Sequence, residues 1–325
     1  MVVILWFLSP PPSNLFALVA NLGSANVTPL TLSGGTWSAG APITVGTSPF
    51  GVAISPDGIH ALVTNQGSAN VTPLTLAGGV WSAGAPVAVG TTPHGIAISP
   101  DGTHALVANQ GSGDVTPLTL SGSTWSAGAP ITVGTSPTGI AISPDGTRAL
   151  VANQGSANVT PLTFSSGTWS AGAPIAAGTT PYGVAISPDG TRALVTKLSS
   201  TAITPLTLSG GTWSAGAPVT VGTNPTGVAI SPDGTHALVA NYADANVTPL
   251  TLSGSTWSAG APVVVGSNPI GVTISPDGIQ ALIANSSSAN VTPLTLSGGT
   301  WSAGAPITVG TSPYSLGPSM IYEGR

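Results

Sequence analysis

Few side chains in this sequence could do chemistry, and their types and spacing limit what that chemistry is. The 325 residues include one Lys, three Arg, four His, eight Asp, one Glu and no Cys. Without Cys there is no thiol nucleophile, no disulfide framework and no zinc-thiolate site. Lys197, the lone lysine, could act as a base or as an ion-pair donor. Asp114 and Asp244 replace or adjoin the polar residues usual at their repeat positions. With Lys197 they could hold a cation or a polar ligand if the fold united them. General acid–base work needs two ionisable groups in one pocket, so no catalytic residue is assigned. The phosphate-binding Gly loop, the Gly-x-Ser-x-Gly elbow and the His-Glu-x-x-His pair do not occur. No cofactor or metal-ligand set is read. Four basic residues cannot neutralise a phosphate backbone, which excludes nucleic acid as a partner.

The elements that must position these groups come from a repeat. Trp37, Trp81, Trp125, Trp169, Trp213, Trp257 and Trp301 stand 44 residues apart. Ser55-Pro56-Asp57-Gly58 recurs at 99, 143, 187, 231 and 275 with the same spacing. A fixed period of this size marks a solenoid, a propeller or an array. Within residues 47–90, Gly51–Ser55 reads as a buried strand, His60–Asn65 as a second and Asn70–Leu76 as a third. Trp81–Val89 reads as a fourth, with Trp81, Ala83, Ala85, Val87 and Val89 on one face by period two. No segment has a capped helical period. Four short antiparallel strands per unit predict an all-β chain, a seven-bladed β-propeller of 44-residue blades; an open β-solenoid is the runner-up.

Several recurring residues have a structural explanation. The six Asp of Ser-Pro-Asp-Gly (Asp57, Asp101, Asp145, Asp189, Asp233, Asp277) are explained by turn chemistry. His60, His104 and His236 share their position with Arg148, Arg192, Gln280 and Phe16, which predicts a solvent-facing site rather than a metal ligand. The Trp ring reads as core packing. The Asn-Val-Thr triplets resemble glycosylation sequons but lie inside the third strand, each followed by Pro. That Pro, Pro73 in the second blade, cannot donate to a ladder; its nitrogen is expected to face the outermost strand, where pairing should break.

Two stretches of each unit are expected on one face of the disc. The first enters the inner strand as Gly-Thr-Ser/Thr/Asn-Pro-x-Gly. Its residue x differs from copy to copy: Phe50, His94, Thr138, Tyr182, Thr226, Ile270 and Tyr314. The other positions barely vary, so this ring is the candidate ligand surface at the channel mouth. The second stretch carries Asn21, Asn65, Asn109, Asn153, Asn241 and Asn285, replaced in blade five by Lys197.

The motif Pro-x-Gly-Val/Ile-Ala-Ile-Ser-Pro-Asp-Gly, followed by Ala-Leu-Val-Thr/Ala-Asn, resembles the YVTN-family β-propeller repeat. Leu62-Val63-Thr64-Asn65 matches the naming tetrapeptide with Leu in place of Tyr. The resemblance spans residues 5 to about 314 and implies the propeller fold. It also implies a range of roles, because such repeats occur in bacterial and archaeal surface proteins and resemble propellers that act as lactonases, in electron transfer or in binding. Ser33, Ala77 and Ser121 stand where family repeats commonly carry Asp after the third strand.

One domain over 1–325 is expected. Six inner strands are evident, and the seventh must come from a chain end: residues 4–10 are preferred, leaving an irregular tail at 314–325, and Tyr314–Gly317 is the competitor. The apolar opening residues resemble a signal-peptide fragment without a basic start or a cleavage site, and read as a strand. No run is long enough to span a membrane. Scarce Lys and abundant Ser, Thr and Asn suggest an extracellular or cell-surface location. The favoured function is a non-enzymatic binding or scaffold module with a protein or carbohydrate partner, Phe50, His94 and Tyr182 serving as anchors. A lactonase-like hydrolase at the channel mouth and an amplified repeat without a ligand are the alternatives.

Overall fold

The structure is a computed structural model, and it describes residues 15–316 and 321–322. Seven antiparallel sheets follow one another along the described chain. Each is a blade with an inner, a second, a third and an outer strand; in blade two these are Pro49–Ile54, His60–Asn65, Asn70–Ala77 and the pair Val80–Ala83 with Val87–Ala88. Neighbouring inner strands pack side by side, and the inner strands at Pro49–Ile54 and Pro313–Leu316 meet to complete the ring. The propeller read from the 44-residue period is the fold.

The outer strand departs from the simple alternation expected over 81–89. It is interrupted at 84–86, and only Trp81 of that segment is buried. The interruption lies opposite Pro73, which pairs with Leu62 on its other flank and whose carbonyl accepts a 2.8 Å bond from Gly84 N. Within a strand, N and O of one residue point the same way, so the proline nitrogen faces the break, as a residue without an N–H requires.

Blade one is assembled from both ends. Pro313–Leu316 supplies its inner strand and pairs with Leu15–Asn21, while Ile321–Tyr322 adds a short bridge to Leu15 and Phe16. Residues 4–10, the preferred source at the level of sequence, lie outside the described residues. The segment from 313 to 316 is therefore a strand rather than the start of an irregular tail. Its Pro313 occupies the place that Pro49 holds in blade two, so it retains the repeat's register.

No blade has a core of its own. Leu18, Ala20 and Val27 of blade one pack with Val52, Ile54, Ala61, Val63, Leu74 and Trp81 of blade two, and the same arrangement recurs round the disc. Trp81 is 7% exposed at the outer end of this seam, and the indoles other than the half-buried Trp169 fill inter-blade space. The Ser-Pro-Asp-Gly turns hold the opposite face from the mouth. Asp57 accepts bonds from Ser55 Oγ and Ile59 N, and its Oδ2 lies 2.9 Å from His60 Nδ1. Arg148 and Arg192 pair with Asp145 and Asp189 in the same way. These His and Arg residues serve the turns.

Candidate functional site

In six of the seven inner strands the residue after x is glycine, Ser315 taking its place after Tyr314, and that glycine decides where x goes. A Cβ on Gly51 would lie 2.4 Å from the carbonyl oxygen of His94, and one on Gly227 would lie 2.1 Å from that of Ile270. Only glycine allows inner strands to run this close. The tight ring aims the seven x side chains at the axis.

They line the channel there together with the Val and Ile of the inner strands, around a cavity of about 180 Å³. The sequence placed them near the channel mouth; there they pack together and plug the channel. Phe50 is 8% exposed and His94 5%. The Phe50 ring centroid lies 3.5 Å from that of His94 and 4.0 Å from that of Tyr314. Tyr182 and Tyr314 face one another across the channel with their hydroxyls 2.8 Å apart. Thr138 Oγ1 donates to the Tyr182 carbonyl at 2.9 Å, and Thr226 Oγ1 to that of Pro269 at 3.0 Å. These two hydroxyls tie adjacent blades together and are committed to the frame. Ile270 adds apolar surface.

Burial sets the protonation of this plug. The desolvated His94 imidazole is pushed down to about 3 and stays neutral. Burial, the Tyr314 phenol with its hydrogen bond, and Tyr242 raise the Tyr182 phenol well above its ordinary value. Burial likewise raises Tyr314, although its bond with Tyr182 works in the other direction. Both phenols therefore keep their protons; one donates to the other, and the accepting hydroxyl has its own proton left to donate.

Above the plug, displaced from the axis over blades five to seven, lies a depression of about 330 Å³. Tyr182, Thr226, Ile270 and Tyr314 belong to its lining. Leu198, Ser199, Asn224, Tyr242 and Ser286 complete it. These five were not singled out by sequence reasoning, yet a signal was present. The position just after the strand-two Asn varies from copy to copy as Leu22, Gln66, Gln110, Gln154, Leu198, Tyr242 and Ser286. The variation divides the face: Gln occupies three consecutive blades, with Gln110 Nε2 donating to Gln154 Oε1 at 3.4 Å, and the depression forms where Leu198, Tyr242 and Ser286 replace it.

The remaining candidates are not part of this lining, and the structure does not bring them together. Asp114 stays within blade three, where its Oδ1 accepts 2.6 Å from Asn109 Nδ2. Asp244 Oδ2 accepts 2.6 Å from Thr223 N in blade six, the role played by Ser68 toward Thr47 in blade two. Lys197 ends the second strand of blade five, 8% exposed. No cluster of three or more metal-ligating residues occurs among the described residues. The six Asn of strand two, expected on a polar loop, are fully buried. Asn65 Nδ2 donates to Asn70 Oδ1 at 2.7 Å and to Thr72 Oγ1 at 2.8 Å, bracing the hairpin.

No protein-family model matches the sequence, and the curated proteins contain no match to it. Solved structures do match in shape. A protein of Bacteroides uniformis provisionally named a 6-phosphogluconolactonase superposes with a TM-score of 0.83 at 17% identity, covering 94% of this chain and 99% of its own. The periplasmic gluconolactonase of Pseudomonas aeruginosa gives 0.80 at 20% identity, covering 94% and 98%. Kuenenia stuttgartiensis hydrazine synthase gives 0.71 at 23%, covering 83% and 90%. One architecture thus carries different chemistries, and at these identities the likeness establishes the fold of this chain: a seven-bladed β-propeller similar to those of lactonase-named proteins.

Proposed function

We propose that this propeller is lactonase-like and takes a neutral, hydroxyl-bearing ring, a sugar lactone first among them, into the depression over blades five to seven. The observation that carries the reading is the composition of that lining. Three tyrosines, two serines and an asparagine surround Leu198 and Ile270, and no side chain in it carries a charge. Aromatic faces with a few directed polar groups suit a sugar-sized ring. The names borne by similarly folded proteins support the lactone class. Without a cation in the lining, an unphosphorylated lactone fits better than its 6-phospho ester. The hydroxyl of the Tyr182–Tyr314 pair that accepts from the other would donate its own proton to the lactone carbonyl as negative charge develops on it, and water would open the ring. One such donor is worth roughly 10²–10³ in rate.

A second reading, a binding module without turnover, draws on the same lining: it supplies no carboxylate or imidazole to activate water. Acid release from D-glucono-1,5-lactone, followed in a pH-stat with and without protein, separates the two. Acceleration over spontaneous opening that falls in Tyr182→Phe and Tyr314→Phe supports hydrolysis. Saturable calorimetric binding of a non-hydrolysable sugar lactam without acceleration supports the binding module. The absence of both signals would overturn the proposal. An extracytoplasmic location belongs to the same proposal and rests on the scarcity of Lys and the abundance of Ser, Thr and Asn.

A further inference from the structure

Blade five departs from the other six blades on the mouth face, and three of its departures remove a hydrogen-bond acceptor. Lys197 stands where the others have Asn, and Ala202 where they have Asn or Asp. The bracing bond of the Asn65–Asn70 type is thereby lost, and the ladder between strands two and three stops at Val195–Thr204 instead of running two pairs further. The loop entering the inner strand changes as well. In the other blades the amide equivalent to Thr47 N donates to a side-chain oxygen, from Thr47 N–Ser68 Oγ at 2.8 Å to Thr311 N–Ser24 Oγ at 2.7 Å. In blade five, Ser200 Oγ is turned inward, accepting from Ala202 N at 3.1 Å and donating to its carbonyl. The exposed Thr179 thus loses the acceptor its counterparts have.

The lysine side chain lies against this same loop. A Cβ on Gly178, the neighbour of Thr179, would meet Lys197 Cδ at 2.9 Å and Nζ at 3.2 Å. Lys197 is more than nine-tenths buried and forms none of the ion pairs seen among the described residues. Its stem is packed while its Nζ is not among the enclosed polar atoms, so an anion from solvent can reach the ammonium. An ammonium against Gly178 and, on the next residue, a main-chain N–H with no acceptor in the protein form a donor-only site. Burial also pushes the ammonium below the ordinary lysine value, a cost that an arriving anion would relieve.

We infer that Lys197 and the Thr179 amide form an oxyanion site at the edge of the mouth face, taking a small carboxylate or phosphate. The site adjoins the depression through Leu198 and Ser199, but it does not depend on lactone binding there.

The lone lysine makes the test direct. In protein labelled with 13C-lysine, the folded chain has one Hε–Cε signal, and it reports the ammonium alone. Sodium gluconate and sodium phosphate are titrated separately at constant ionic strength, with chloride as the reference salt. A saturable shift with gluconate alone identifies a carboxylate site, one with phosphate alone a phosphate site, and one with both a general oxyanion site. The double variant Lys197→Asn, Ala202→Asn restores the pair that the other blades carry and so is expected to fold. In it, the anion-dependent rise in melting temperature should disappear, with affinity at least about tenfold weaker, the loss of a charge-assisted pair. A lysine signal unmoved by either anion, or equal anion stabilisation of the double variant, overturns the inference. Neither result bears on lactone turnover, which the pH-stat measures separately.

Discussion

Acid should weaken this propeller through one imidazole before its carboxylates respond. His94 sits in the channel plug at 5% exposure, against Phe50 and near Tyr182, and burial holds it down to about 3. The unfolded chain binds the same proton near the ordinary value of 6.5. Between these values the unfolded state carries one proton more than the native state. Stability is therefore complete above the unfolded value and falls as the pH drops toward the folded one. At about 1.4 kcal/mol per pH unit, the loss is about 2 kcal/mol at pH 5 and about 3 at pH 4. The aspartates respond in a lower window. Partial burial works against the charge on Asp57, but hydrogen bonds from Ser55, Ile59 and His60 prevail and hold it below 3.8. Its contribution is lost only as the pH falls further. Urea-unfolding midpoints of the wild type and of His94→Thr, measured from pH 7.5 to 4, isolate the effect. Thr is chosen because Thr138 and Thr226 already occupy the same ring. The wild type should lose stability by the stated amounts relative to the variant. Parallel pH profiles for the two proteins would refute the assignment of a buried neutral imidazole.

Other perturbations have equally definite outcomes. Asn65→Ala removes two side-chain bonds from a fully buried site and should cost about 1–3 kcal/mol in chemical denaturation. Gly51→Ala places a methyl group 2.4 Å from a main-chain oxygen of the next blade. It should cost at least about 3 kcal/mol, read as a lowered melting temperature or loss of soluble protein. Truncation after Ser312 removes the inner strand of blade one and exposes the edge of Leu15–Asn21; size-exclusion chromatography should then show association rather than a monomer of unchanged shape. In Tyr182→Phe and Tyr314→Phe, a double-mutant cycle should give a coupling of about 0.5–1.5 kcal/mol for the 2.8 Å hydroxyl bond.

The parts of the fold written into local sequence were legible without coordinates. Ser-Pro-Asp-Gly is a turn wherever it stands, and alternating apolar residues between turns make strands. The Pro73 positions already required a ladder broken toward the outer strand. Less was legible where two distant pieces of chain compete for one place. The inner strand of blade one went to Pro313–Leu316, whose Pro keeps the repeat's register, a stronger signal than the apolar character of the N-terminal run. The Asn of strand two looked like an exposed polar ring because polarity was read without its partners. Asn70 and Thr72, five and seven residues on, accept both Nδ2 protons inside the blade, while Asn65 Oδ1 is enclosed without a protein donor.

The site was half legible. Copy-to-copy variation located Phe50, His94, Tyr182 and Tyr314 as a ring at the axis. It could not show that they fill the channel and contact one another, because side chains from separate blades meet only after the ring closes. Leu198, Tyr242 and Ser286 carried the same kind of variation one residue past the Asn position, but their place above the axis depends on how far each loop leans over its neighbour. By itself the sequence determined the period, the strands and turns within each unit, the blade count and the positions where the copies differ, all of which follow from local preferences repeated every 44 residues. Only the tertiary structure decided which chain end closes the ring, that Asp114, Asp244 and Lys197 remain apart, and that a plug rather than an open pore lies beneath the depression. Those outcomes depend on distances between blades, and such distances are set by the packing of all seven seams at once.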